Sequence, residues 1–333
     1  MIFIYFMWLM QKRKCSLSLY THFLIANSNR YSGVELSRVA PGAGMAHDAV
    51  SRWLKEARYT PSELWKHTKS LTDTQTGYLV ADDSLLDKRY SRQNELAKKQ
   101  YSGNAHGLVN GICLVNLLWT DGDAYVPVDY RIYQKENDDK TKNDHLKDML
   151  KRAKKRSFKP RYVLMDAWYS SVDNLKLIAN TLAWQFMCNL KSNRQVSLTK
   201  GDYISISDLD LADKQVRKVW LKEYGYVLVC TLVATNGDST YLATSDLSLT
   251  EYHTFTHHFS HRWMIEEFHR GIKQTTGIEQ CYSVKAQTQK THIFSSFIAF
   301  LKLERSRLTE HVSWYEQKAM VSRGATKGYL ANA

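Results

Sequence analysis

The sequence predicts a mixed α/β fold with a helical N-terminal region and a β-rich insertion. Three observations lead to it. Apolar residues recur at helical spacing over residues 34–68. From residue 77, strand-like apolar runs alternate with amphipathic helices, the pattern of a mixed sheet. Residues 184–247 then carry mostly strand signals and are followed by a helix. With 333 residues, 44% of them hydrophobic, the chain can bury a sizeable core as one large domain or two ordinary ones.

The opening "MIFIYFMWLM" is apolar over a stretch too short to span a bilayer. "KRK" follows it and does not precede it, which is not the order of a signal peptide. No membrane anchor is expected. "GMAHDAVSRWLKEARYTPSELW" puts Ala49, Val50, Trp53 and Leu54 at helical spacing, after the Pro-Gly-Ala-Gly turn that closes "VELSRVAPGAG". Helix, glycine turn and helix suggest a helix-turn-helix with Arg52 toward DNA; a small bundle that binds nothing fits the same pattern.

"GYLVADDS" is a short apolar strand that ends in acids. "GLVNGICLVNLLWTDGDAYVPVDYRIY" reads as two strands joined by the "DGD" turn. "TKNDHLKDMLKRAKKR" is an amphipathic helix with Leu146, Met149, Leu150 and Ala153 on one face. "RYVLMDAWYS" is a buried-type strand ending in Asp166, and "SVDNLKLIANTLA" a helix capped by Ser170 or Ser171. "QFMCNL", "YISIS", "KVWLKEYGYVLVCTLVA" and "TYLATS" supply the strands of the insertion, at about 184–250. After residue 315 the chain turns polar and Gly/Ala-rich and is expected to fray.

A net charge of +13 argues for an anionic partner, and "KRAKKRSFKPR" at 151–161 holds seven Lys or Arg in eleven residues. Cys15, Cys113, Cys188, Cys230 and Cys281 are dispersed with no C-x-x-C pair, which fits reduced thiols in a cytoplasmic protein.

Acids placed where strands end point into the crevice of an α/β sheet, and Asp82, Asp83 and Asp166 are so placed. In "HRWMIEEFHRGIK", Met264, Ile265, Phe268 and Ile272 form one helical stripe. Arg262, Glu266, His269 and Lys273 form another, so a carboxylate is flanked by basic groups on the polar face. Two strand acids and a helical Glu are hard oxygen ligands, suited to Mg²⁺ or Mn²⁺. Two such ions would stabilise both the attacking and the leaving oxygen in a phosphoryl displacement. His257 and His261 have an i, i+4 relation, but no H-E-x-x-H is present and zinc is not expected.

"HRWMIEEFHRGIK" resembles the Tyr-x2-Arg-x3-Glu-x6-Lys signature of bacterial insertion-sequence DDE transposases, through Arg262, Glu266 and Lys273. Phe259 stands at the tyrosine position and lacks its hydroxyl. "LVADDSLLDK" resembles the strand of the family's first Asp and "VLMDAWYSS" that of its second, with a β-rich insertion before the Glu. "QYSG" at 100–103 and "TKNDH" at 141–145 resemble further segments, and the resemblance covers about residues 75–305.

The resemblance implies an RNase H-like fold at 75–315, after a helical region at 1–74 and before a polar tail at 316–333. It also implies a catalytic, metal-binding triad of Asp82, Asp166 and Glu266, with two Mg²⁺ or Mn²⁺ ions. Asp83 is the rival for the first place, because the "DD" pair leaves the register open by one residue and only one of two neighbouring strand residues can face the metals. Glu267, about 100° round the helix from Glu266, should face solvent. Arg262, Lys273, His269, Arg270 and Arg52 are the expected DNA contacts. The implied activity is cleavage and strand transfer at the ends of an insertion sequence, on double-stranded DNA, by a homodimer in the bacterial cytoplasm at the nucleoid. A catalytically inactive DNA-binding derivative and a metal-dependent nuclease on the same fold are the alternatives.

Overall fold

The computed structural model describes residues 15–40, 45–91, 93–103 and 106–331. The apolar opening and the glycine turn at 41–44 lie outside the described residues. Among the described residues four α-helices, α1 (Leu17–Ala26), α2 (Gly33–Val39), α3 (His47–Glu56) and α4 (Pro61–Thr68), precede β1 (Tyr78–Asp87). Next come β2 (Lys98–Ser102), β3 (Gly107–Thr120), β4 (Val126–Tyr133), the single turn α5 (Lys135–Asp138), α6 (Lys142–Lys155), β5 (Tyr162–Met165) and α7 (Val172–Lys176). The strands β6 (Phe186–Leu190), β7 (Gln195–Ser197), β8 (Ile204–Ser205), β9 (Val216–Leu221), β10 (Gly225–Val233) and β11 (Ser239–Thr244) follow. The last helices are α8 (Tyr252–Ser260), α9 (Met264–Thr276), α10 (Ala286–Glu310) and α11 (Trp314–Leu330).

Two compact units divide the chain. A sheet unit holds residues 69–84 and 114–268, and a helical unit holds 1–68, 85–113 and 269–333.

In the sheet unit the strand order is β3-β1-β5-β6-β11-β10-β9-β7-β8, with β4 paired to β3. β1, β5 and β6 run parallel, and the insertion strands extend the same sheet antiparallel from β6 through β11. The sheet is therefore mixed, as expected. β5 reads "YVLM" because both of its faces are covered, and all four side chains are buried. β4 pairs only with β3, so Pro127 costs no ladder hydrogen bond on the free edge. At the entry to β1, Gly77 has φ +78, and a Cβ there would meet the Thr120 carbonyl at 2.5 Å.

α6 starts with a capping box, in which Thr141 and Asp144 each bond the other's backbone N–H. Its apolar stripe, Leu146, Met149, Leu150 and Ala153, is buried as the spacing predicts. Ser171, not Ser170, caps α7 by accepting from the Asn174 N–H. One expectation needs correcting: β1 does not stop at its acids but runs on to Asp87. What stops there is the parallel pairing with β5, whose last register pair is Ala81 with Met165.

In the helical unit α1, α3 and α10 share a core that includes Tyr20, Phe23, Leu24, Trp53, Leu54 and Ala299. The Tyr20 hydroxyl meets His292 Nδ1 at 2.9 Å inside it, which satisfies both buried polar groups. Residues 314–330, expected to fray, form α11. Ser313 caps it, and the buried Trp314 indole donates to Glu304 at 2.6 Å. Lys318 holds its other side, donating to the Asn27 and Thr275 carbonyls and to Tyr31. All five cysteines are free, four of them buried. No described helix is long and apolar enough to cross a membrane.

Candidate active site

The parallel register decides the placement of the first two acids. Ala81 and Met165 are partners, so Asp82 and Asp166 follow on adjacent strands, whose spacing is about 4.8 Å. Burial, then the Asp166 and Asp83 carboxylates, push the Asp82 carboxyl up to about 8. The Asp83 N–H and, more weakly, the Arg262 charge oppose that rise. Asp166 is raised too, chiefly by burial, although its Oδ1 accepts from the Trp168 and Tyr169 N–H groups. Two such carboxyls cannot both ionise cheaply without a cation.

Asp83 has its oxygens engaged elsewhere. Lys142, in the first turn of α6, donates to its Oδ2 at 2.7 Å, and the Tyr169 hydroxyl donates to its Oδ1 at 2.8 Å. It thereby ties β1 to α6 and to the loop that follows Asp166. Asp82 Oδ1 accepts from the Asp83 N–H at 2.8 Å. The alternation of the strand separates the two roles.

The start of α9 carries the third candidate acid, Glu266. Met264, Ile265 and Phe268 are buried, as the stripe predicts, and Thr120 donates to the Met264 sulfur. Arg262, in the turn before α9, donates to Glu266 Oε1 at 2.7 Å and lies 5.9 Å from the Phe259 ring centre. The phenylalanine in place of tyrosine therefore offers its π-face to the guanidinium. Glu267 is not a solvent-facing bystander: the Tyr125 hydroxyl donates to its Oε2 at 2.5 Å. A tertiary contact from the β3–β4 connection overrides the helix position here.

The other expected DNA contacts belong to the helical unit. Lys273 donates to the Leu85 carbonyl at 2.7 Å and pairs with Glu279 at 3.2 Å. His269 is half-buried, Arg270 is exposed, and Arg52 is exposed on α3. The histidine cluster is structural in part: His258 is buried against the Tyr78 hydroxyl at 2.7 Å, and burial lowers it to about 4.

Sequence reasoning missed a recess of about 390 Å³ beside Asp166, lined in part by Trp168, Lys191, Arg194 and Lys222. Trp168 is 57% exposed, with Lys142 and Lys191 within 5.8 and 5.5 Å of its ring. A large aromatic two residues after a strand-end acid in "DAWYSS" was the available signal.

Asp82 and Asp166 are oxygen donors with raised carboxyls, which fits a hard divalent cation. Glu266 is turned to Arg262, and among the described residues no three His, Cys, Asp or Glu side chains are grouped closely enough to hold a metal. The pair fits such an ion, and Glu266 would have to exchange its partner to join it.

The raised carboxyl has a consequence for stability. A folded-state value above the ordinary 3.8 means that stability is lost as pH rises toward about 8. In chelator, Asp82→Asn should therefore melt higher than the parent, by about 3 °C or more near pH 8. The gap should widen from pH 5 to pH 8 and flatten above it, and thermal melts across that range check it. A gap that does not change with pH would contradict the burial of this charge.

Comparison with known proteins adds three findings. Residues 67–301 match the family model described as "Transposase DDE domain". No curated protein sequence matches the chain. Among solved structures the chain is similar to the piggyBac transposase synaptic complex with hairpin DNA, determined by cryo-EM, with a TM-score of 0.56 and 10% identity. That match covers 92% of this chain and 68% of the other, and at this identity it speaks to the RNase H-like fold alone.

Proposed function

The chain belongs to the DDE transposase family, and from that membership we propose that it cuts and rejoins DNA at the ends of an insertion sequence. Asp82, Asp166 and Glu266 are the proposed acids, with Mg²⁺ or Mn²⁺ as their ligand. The observation that carries this reading is the Asp82–Asp166 pair on adjacent parallel strands, both carboxyls raised, in one unit with Arg262 and Glu266. A bound divalent ion supplies charge compensation and an activated water for phosphodiester hydrolysis.

The chain's own residues set the geometry. Asp83, Lys142 and Tyr169 tie the middle of β1 to α6 and to the loop after β5, so the two acids keep one spacing. Arg262 holds Glu266 and lends positive charge to the Asp pair. Hydrolysis at the element's end leaves a 3′-hydroxyl, which then displaces at a second phosphodiester. One bond breaks as another forms, so no external energy source is needed. Arg52 on the exposed face of α3, with Arg270, His269 and Lys273, is proposed to add DNA contacts, and a homodimer to hold two ends.

A labelled duplex carrying the element's end, incubated with protein and Mg²⁺, tests the reading. Cleaved ends should join a second duplex; cleavage without joining would assign a nuclease instead. Two further outcomes follow. Duplex affinity should fall about ten-fold or more between 50 and 200 mM salt, because several phosphate contacts release counterions. A flat response would contradict a nucleic-acid partner. Asp83→Asn should keep measurable cleavage, since Asp83 positions and Asp82 binds. If Asp83→Asn abolishes cleavage and Asp82→Asn does not, the assignment is off by one residue.

A further inference from the structure

A second recess, of about 480 Å³, opens in the sheet unit between β4, α5 and α6. Its α6 wall is the run singled out by its charge: Asp148, Lys151, Arg152 and Lys155 stand at i, i+3, i+4 and i+7, on one helix face. The opposite face of α6 is the buried apolar stripe, so this one is fixed outward.

The recess is organised from below. Asp129 on β4 is fully buried, and both terminal nitrogens of Arg131 bond its carboxylate. Arg152 reaches the same carboxylate at 4.0 Å. Two guanidinium groups thus lean on one buried negative charge, which holds them in place and leaves a positive excess. At the rim Lys140 pairs with Asp148 at 2.6 Å, and Asp138 lies 3.4 Å from His145. Lys151 and Lys155 are exposed. Five cations therefore line the recess against two rim carboxylates.

We infer that this recess grips backbone phosphates of duplex DNA, at a place separate from the acids. The recess begins beside Lys142, at Lys140 and His145, and its two exposed helix lysines stand farther along α6. Lys142, which contacts Asp83, lies nine residues before Lys151 and thirteen before Lys155. At 1.5 Å per residue that is about 14–20 Å along α6. Successive base pairs of a duplex are about 3.4 Å apart, so the phosphates held at Lys151 and Lys155 are not the one at the acids. The inference rests on the DNA reading of the preceding subsection and adds to it a named phosphate site.

The test uses the full chain with Lys151 and Lys155 both changed to Ala, which leaves the Asp129 pairs untouched. Circular dichroism melts establish that the variant folds, and Arg152→Gln is the second probe. Duplex affinity is measured as a function of salt. The slope of log affinity against log salt should fall by about 1.8, the loss of two phosphate contacts at about 0.9 each. An unchanged slope in both variants would overturn the inference. So would saturable binding of inorganic phosphate lost in the variants while duplex affinity stays that of the parent, since that marks a small-anion site. If the slope falls but the parent never cleaves DNA, the grip stands and the transposase reading fails. If the parent cleaves and the slope does not move, the reverse holds.

Discussion

Asp82→Asn and Asp166→Asn should each lower DNA cleavage by about a thousandfold or more while the protein still binds duplex. Asn keeps the size and most of the hydrogen bonding of Asp and removes the charge that holds a divalent ion. The stabilisation lost is that of the transition state, where charge develops on the attacking and leaving oxygens. Affinity comes from the basic surface, which neither change touches. It should even rise slightly, since each change removes one negative charge. Single-turnover cleavage and a mobility shift on the same preparations separate the two effects. Equal loss of binding and cleavage would mean that the acids serve the fold. A melt of Asp82→Asn in chelator, expected to lie above the parent's near pH 8, shows that its loss of cleavage is not unfolding.

The second large effect is expected at Arg262. Its guanidinium bonds Glu266, faces Phe259 and lowers both Asp82 and Asp166. Arg262→Ala releases Glu266 and removes a compensating cation, so both carboxyls should climb further. Cleavage should fall by about a hundredfold, the scale of losing one preorganised charge contact. Its pH dependence should move to higher pH, because the pair then ionises later. Arg262→Lys should recover part of the rate, since it restores the charge without the planar fork. An Arg262→Ala rate within about threefold of the parent would reduce the contact to an ordinary helix pair, worth about 0.2–0.5 kcal/mol.

What could be read from the sequence was local periodicity. The continuous apolar "YVLM" of β5 and the three- and four-residue spacing of the α6 and Met264–Phe268 stripes were readable, and burial follows them. The order of the acids was legible as well, because β1 and β5 each carry one at the end of an apolar run. Contacts between distant segments were not. No spacing tells that Tyr125 reaches Glu267, or that Lys142 and Tyr169 close on Asp83. The continuation of β1 past its acids was hidden for a similar reason. Asp has low strand propensity, and ladder pairing overrides it there. In α11, Gly324 and Gly328 suggested fraying, while the anchors that hold its start, Glu304 and Lys318's partners, lie outside the segment.

The central claim is metal-dependent cleavage and joining of DNA by these acids. Its most direct measurement is the product of the unaltered protein on a labelled duplex that carries the element's end. Parallel reactions contain Mg²⁺ or chelator, with Glu266→Gln run beside the parent. In Mg²⁺ the parent should yield 3′-hydroxyl ends that become joined to a second duplex, and chelator or Glu266→Gln should leave the label intact. Cleavage that persists in chelator, or that Glu266→Gln performs at the parent's rate, would contradict the account.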